Sequence, residues 1–386
     1  MIAARGHGGQ APPAPVAASA RLPWEQALLW RMRRHRLAGR RPPGELLDVV
    51  ERIAGVHAQV LSCAELTLWA RLDGLDSGVV RDALWQERSL VKLWAMRGTL
   101  HLLPARELGL WLAALSGHER YGEIGRDQFA ELVETVGRAL TDRLLTREQL
   151  AREVERLSGS AELGERVLGS WGLHLKPASL HGRLCFAPGA PDGGQKVRFT
   201  APRTWLGALE PVDPEIAIPA IARRFLRVNA PATIEDFARW WGSGTTTARR
   251  MLASLGDELL AVEVDGEQRW MLAADLAEAE VAAPMRAVVL LPGFDQWTVA
   301  APRGVDALLV PSRRAQVYRP QGWISPVLAV DGRVAGVWRH VRGARELCVE
   351  IEPFGRLPRW ARAGVEAEAA RLAAFHERPL RLRWEA

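Results

Sequence analysis

"LTREQLARE" at residues 145–153 and "ATIEDFARW" at residues 232–240 open in the same way: a threonine, a polar side chain three residues on, then apolar residues at helical spacing. Thr146 with Gln149 is a capping box, which satisfies two free backbone N–H groups at a helix start, and Thr233 with Asp236 begins a second helix alike. Each opening is followed by a further helix, "GERVLGSWGLHLKPASLHG" (164–182) and "TTTARRMLASLG" (245–256). Each then runs into two β-prone stretches joined by a turn: "RLCFA" and "KVRFT" around the Gly-rich "PGAPDGGQ", and "ELLAVEV" and "QRWMLA" around "DGE".

The same order is present upstream in enlarged form. "LPWEQALLWRMRRH" sets Trp24, Leu28 and Met32 on one helical face, and "GELLDVVERIAGVHAQV" (44–60) predicts a second helix. Asp76 or Ser77 caps a third that runs to about Glu87, and "LVKLWAMRGTLHLLP" (90–104) alternates like strands about Gly98. Three helix–helix–hairpin units in tandem are the pattern of three winged helices. From Pro284 on, short β-branched runs between Gly, Pro and Asp turns, interrupted by the helix "ARAGVEAEAARLAAF", predict a small antiparallel β-barrel. The predicted fold is therefore α+β: a disordered leader (1–20), winged helices at 21–118, 119–206 and 207–282, and the barrel with its helix at 283–386.

Composition bounds the function. With 386 residues, 48% of them hydrophobic, the chain can fill several domain cores, and it has no apolar run long enough to span a bilayer. A soluble, cytoplasmic, nucleoid-associated monomer is expected. Cys63, Cys185 and Cys348 show no paired spacing, so neither a disulfide framework nor a metal site is expected, and no nucleotide loop calls for a cofactor. A net charge of +6 and a pI near 9.8 favour an anionic partner, nucleic acid first. The densest basic cluster is "WRMRRHRLAGRR" (30–41), with Arg33 and Arg34 at its centre. Arg249 and Arg250 lie where a recognition helix would carry them, and Arg183 and Arg198 flank the second hairpin; all are candidate phosphate contacts. Of sixteen tryptophans, Trp30, Trp69, Trp85, Trp111 and Trp240 sit at core spacing, while Trp94 and Trp171 neighbour polar groups and are either core or base-stacking platforms.

Paired carboxylates, serine elbows and histidine-rich spacings are missing from the sequence. Three features remain for chemistry: His57 with Gln59 in "GVHAQ", the stretch "RGTLH", and Asp295 in "LPGFDQW". On a helix His57 and Gln59 would point about 200° apart, so they converge only at a break in it.

"GVHAQ", "WAMRGTLHLLP", "LLPGFD" and "GWISPVLAVDGRVAGVW" together resemble the winged-helix DNA-binding family of AlkZ- and YcaQ-like DNA glycosylases, over nearly the whole chain from Leu22 to Trp384. That resemblance implies a concave channel for double-stranded DNA carrying alkylated bases, and catalysis by a Gln-Φ-Gln or Gln-Φ-Asp motif. Its counterpart here is His57–Ala58–Gln59, a divergent His-Φ-Gln, AlkX-like branch. The implied reaction is monofunctional hydrolysis of the N-glycosidic bond of alkylated purines, N7-alkylguanine adducts and crosslinks among them. The alternative is a DNA-binding protein or regulator without activity. A neutral His57 could orient water and take its proton, whereas a cationic one would repel the sugar's developing charge, so activity is expected to fall in acid. Arg97 and His101 resemble the family's Arg-Gly-x-x-His element, which makes both candidate DNA contacts; Arg97 is either a supporting residue there or a buried ion-pair partner joining the first unit to the barrel. Asp295 is read as structural, and the hairpin between Leu184 and Thr200 as either a minor-groove probe or a disordered loop.

Overall fold

The computed structural model describes residues 20–117, 126–169, 172–189 and 197–385. Residues 1–19 of the expected leader, the 118/119 boundary, Trp171 and the tip of the second hairpin lie outside these residues, while Ala20, the leader's last residue, is instead ordered in the strand Ala20–Arg21, which pairs in parallel with Leu259–Val264. Among the described residues no helix is long and apolar enough to cross a membrane.

Three small sheets repeat one plan, in which a helix leads into a short strand, then two helices, or three in the middle unit, then a hairpin whose second strand receives the short strand. In the middle unit, helix Arg126–Leu140 precedes Leu145–Thr146, which pairs with Arg198–Thr200 beside Cys185–Ala187. In the next, helix Pro214–Asn229 precedes Ala232, which bridges to Trp270 of the hairpin Leu259–Val264/Glu267–Leu272. The two capping boxes stand directly after these strand residues: Thr146 accepts from the Gln149 backbone at 3.3 Å and Thr233 from that of Asp236 at 3.1 Å. The Asp265–Gly266 turn has φ of 49° and 82°, the type I′ signature that the "DGE" spacing predicts.

The first unit follows the same plan with Val56–His57 as its short strand, antiparallel to Leu100–Pro104, which pairs in turn with Leu90–Trp94. This corrects the expected long second helix. Helix Leu46–Arg52 stops because Ala54 and Gly55 turn left-handed (φ 59° and 85°), and the Gly55 N–H closes the end on the Val50 carbonyl at 2.9 Å. A side chain on Gly55 would meet Leu103 at 2.7 Å, so a glycine also suits the close packing there.

The C-terminal region is not a closed barrel. It is an open five-stranded sheet in the order Val288–Leu291, Val327–Val330, Arg333–Arg342, Leu347–Pro353, Leu380–Trp384. The first four strands are antiparallel neighbours, but the last runs parallel to Leu347–Pro353, because helix Arg359–Phe375 carries the chain back across. That helix packs against the Val288 strand so closely that a Cβ on Gly364 would lie 2.6 Å from the Val288 side chain. The helix covers the sheet that closure would otherwise have sealed.

A continuous core joins the first unit, the third unit and the five-stranded sheet, and a second core fills the middle unit, into which Trp94 and Leu100 of the first unit reach. Trp30, Trp69, Trp111 and Trp240 are buried and Trp85 partly so. Trp94 is core as well, packed against Phe186 and Phe199 at 4.9 and 6.1 Å between ring centroids.

Candidate active site

Val56–His57 is a short edge strand, the Ala58 N–H continues its pairing to the Leu100 carbonyl at 2.7 Å, and Gln59 follows at a bend just beyond it, so no helix turn separates the pair and both lie beside the strand Leu100–Pro104. His57 faces His101 across the ladder, their rings edge to face at 5.5 Å. The other face of His57 stacks on Phe294 of "LLPGFD" at 4.9 Å and 19°. Two rows further, the exposed Gln59 accepts a long hydrogen bond from the Leu100 backbone N–H, 3.4 Å, through Oε1.

Burial and the nearby Arg97 charge push the His57 pKa down to about 3. The ring is therefore neutral through the physiological range. Its Nδ1 is enclosed with no hydrogen-bond partner among the described residues, which leaves Nε2 as the nitrogen open to an incoming group. His101 is fully buried and held neutral by burial, then by Arg97 and His57. Its Nδ1 lies 3.0 Å from the Thr99 carbonyl and must donate there, so Nε2 is the acceptor facing Arg97 Nη2 at 3.3 Å.

Arg97 has left-handed backbone (φ 59°) and donates Nη1 to the Trp240 carbonyl of the third unit. It forms no bond to a carboxylate among the described residues, and burial with Arg303 and Arg239 nearby lowers its pKa to about 10. The ion-pair reading, with Arg97 tying the first unit to the C-terminal region, is thus replaced by a backbone contact to the third unit. Gly242 makes this approach possible, since a Cβ there would lie 2.6 Å from Arg97 Cα.

Asp295 is structural in geometry. It is wholly buried, forms a two-pronged pair with the equally buried Arg71 (2.7 and 2.8 Å), and caps the helix Gln296–Val299 through the Trp297 N–H. Arg71 also donates to the Thr67 carbonyl at 2.8 Å. The pair bolts helix Leu61–Trp69 of the first unit to the turn that presents Phe294.

The remaining basic candidates are dispersed. Arg33 reaches Met285 and the Ala283 carbonyl, and Arg34 pairs with Asp275 and Glu278, so both bracket the first helix onto the segment 275–285. Arg183 pairs with Glu134, and Arg198 clasps its own hairpin through the Pro188 and Gly189 carbonyls. Arg249 and Arg250 are exposed on helix Thr245–Ala253, and Arg250 lines a cavity of about 500 Å³ with Trp241, Gly242 and Thr247. Gly242 also lines a neighbouring cavity of about 90 Å³ with Arg97, Gly98 and Lys176.

Sequence reasoning missed four neighbours of the site. Phe294 and Gln296 flank the Asp295 that the motif drew attention to, and Gln296 fixes the turn before His57 by donating to the Gly55 carbonyl at 2.6 Å. Arg239 and Lys176 come from distant units; the Lys176 chain would touch a Cβ on Gly98 at 3.3 Å. No local signal links residues so far apart in the chain.

Known proteins of the same construction exist. The DNA glycosylase AlkZ-like family model matches residues 50–375. A Streptomyces sahachiroi protein described as an interstrand DNA cross-link repair glycosylase is 36% identical over 363 residues, 91% of this chain and 95% of its own. The solved structure of the Streptomyces sahachiroi DNA glycosylase AlkZ is 35% identical and superposes with a TM-score of 0.82 over 94% of this chain and 100% of that one. With the motif-bearing strand, the "RGTLH" hairpin and the "LLPGFD" turn all inside the matched span, the chain belongs to the AlkZ-like DNA glycosylase family.

Proposed function

We propose that this DNA glycosylase hydrolyses the N-glycosidic bond of N7-alkylated purines in duplex DNA, including those that form interstrand crosslinks, through His57 and Gln59 and without a lyase step. The observation that carries this is the break of the expected helix at "GVHAQ", where His57, its imidazole neutral, pairs with His101 and the exposed Gln59 amide reaches Leu100 of the same neighbouring strand.

A purine alkylated at N7 is already cationic and leaves with the C1′–N9 electron pair, so the site has no need of a strong acid. The demand is for a water placed at C1′ and for groups that tolerate an oxocarbenium-like sugar. The His57 Nε2 lone pair accepts a hydrogen bond from that water. A pKa near 3 makes the ring a weak base, so it orients the water while the C–O bond forms and the proton passes on to solvent. The Gln59 amide offers an acceptor lone pair toward the sugar and N–H donors toward the purine or water. Arg97 and His101 hold the His57 ring edge, and the three repeated units, read as winged helices, supply the duplex-binding surface, with Arg249 and Arg250 as phosphate contacts.

The interstrand repair activity in the printed name of the 36% identical relative supports crosslinked purines as substrates. The test is incubation with a duplex carrying one N7-alkylguanine or one nitrogen-mustard crosslink. Alkali-labile abasic sites without a borohydride-trapped protein–DNA adduct are expected. A trapped adduct would overturn the hydrolytic, lysine-independent step, and absence of product on every alkylated duplex would overturn the substrate assignment.

A further inference from the structure

The loop after the Gln296–Val299 helix carries an arginine that neither motif nor spacing singles out. The carbonyls at the end of this helix are taken up by distant donors: Tyr318 OH on Thr298 (3.3 Å), Arg31 on Ala300 (3.4 Å) and Arg239 on Ala301 (2.9 Å). Two residues on, Arg303 lays its guanidinium over the Tyr318 ring, 4.6 Å from the centroid, and is exposed. It forms no ion pair with a carboxylate among the described residues. Stacking occupies the face of a guanidinium and leaves its in-plane N–H donors pointing outward, the fork that matches two oxygens of a phosphodiester.

Its neighbours compound the imbalance. Arg239 sits against the same loop, and Arg97 donates to Trp240, the residue beside Arg239. Against these three guanidiniums stands the carboxylate of Asp236, which Arg239 shares with Arg269. The crowding registers at Arg97, whose pKa is lowered first by its burial and then by Arg303 and Arg239. From Arg97 the network continues through His101 to His57. A region this positive beside a reaction that develops positive charge is unfavourable until an anion enters it.

We infer that Arg303, shelved on Tyr318, holds a backbone phosphodiester of the duplex next to the lesion nucleotide, so that the substrate's own phosphate offsets the Arg97–Arg239–Arg303 charge beside His57. This rests on the proposed glycosylase reading, but its test does not require turnover. Binding of the full-length protein to an undamaged duplex is measured over a range of salt for wild type, Arg303→Gln and Arg303→Lys. The slope of log K against log salt should fall by about 0.9 in Arg303→Gln, one phosphate's worth, and stay at the wild-type value in Arg303→Lys. A series of lesion duplexes with single neutral methylphosphonates should reveal one position near the lesion that weakens wild type and leaves Arg303→Gln unaffected. Equal slopes for wild type and Arg303→Gln would overturn the inference while leaving the hydrolysis reading intact. Tyr318→Leu, which removes the shelf and keeps the charge, should weaken binding with an unchanged slope; no change in affinity would remove the tyrosine from the account.

Discussion

Asp295→Asn separates a structural from a chemical role for the most buried carboxylate near the site. The substitution keeps an oxygen to cap the Gln296–Val299 helix, so the loss is confined to the ion pair with Arg71, both side chains of which are inaccessible to solvent. Leaving one partner of such a pair buried and uncompensated costs about 3–5 kcal/mol. At ~2.1 cal/mol/K per residue, unfolding entropy for a chain of this length is roughly 0.8 kcal/mol/K, so the melting temperature should fall by about 4–6 °C. Tryptophan fluorescence on heating reads this directly. Replacing both partners by apolar residues, Arg71→Met with Asp295→Leu, should restore much of the loss, because no charge is then stranded. Well below the melting transition, folded Asp295→Asn should excise an alkylpurine within a few-fold of wild type. A melting temperature within about 1 °C of wild type combined with abolished excision would refute the structural assignment.

Two further outcomes follow from the buried histidines and the tight inter-unit contact. His35, His57 and His101 are all held neutral by burial, with pKa values below their ordinary 6.5 and His57 near 3. The unfolded chain takes up their protons first, so their contribution to stability is complete above pH 6.5 and declines as pH falls below it, by about 1.4 kcal/mol per unit per histidine. Melting temperature should be flat above pH 7 and fall steeply toward pH 5, while excision by the still-folded enzyme shows no inflection near 6.5; an inflection there would contradict the neutral His57. Gly242→Ala places a Cβ 2.6 Å from Arg97 Cα at a φ of 86°, and should cost about 2 kcal/mol or more and lower excision by moving Arg97 off His101. A variant as stable and active as wild type would remove this contact from the account.

The repeated units were legible because their signals are local. The capping boxes at Thr146 and Thr233 and the two-residue turn at Asp265–Gly266 each act within a few bonds, and each stands at its predicted place. The misread element was "GELLDVVERIAGVHAQV", whose apolar spacing favours helix throughout. What ends that helix is the left-handed Ala54–Gly55 pair, stabilised by packing against Leu103, a tertiary term invisible in the local pattern. The C-terminal strands were recognisable one by one, but closure into a barrel depends on how the last strand returns, and that is set by where helix Arg359–Phe375 packs. Within the site, motifs pointed to His57, Gln59, Arg97, His101 and Asp295. Arg239 and Arg303 had no signal beyond being two arginines among many, since their meaning comes from the carbonyls and rings that the fold brings to them.

The central claim is that His57 and Gln59 together perform the hydrolysis. Its most direct test is single-turnover excision of an N7-alkylguanine from duplex DNA by His57→Ala and Gln59→Ala proteins whose duplex affinity equals that of wild type. The account predicts that abasic product is lost or reduced at least about a hundredfold in each variant, the scale on which a positioned hydrogen-bonding group contributes to a transition state. Wild-type rates in either variant would contradict it and place the chemistry elsewhere in the protein.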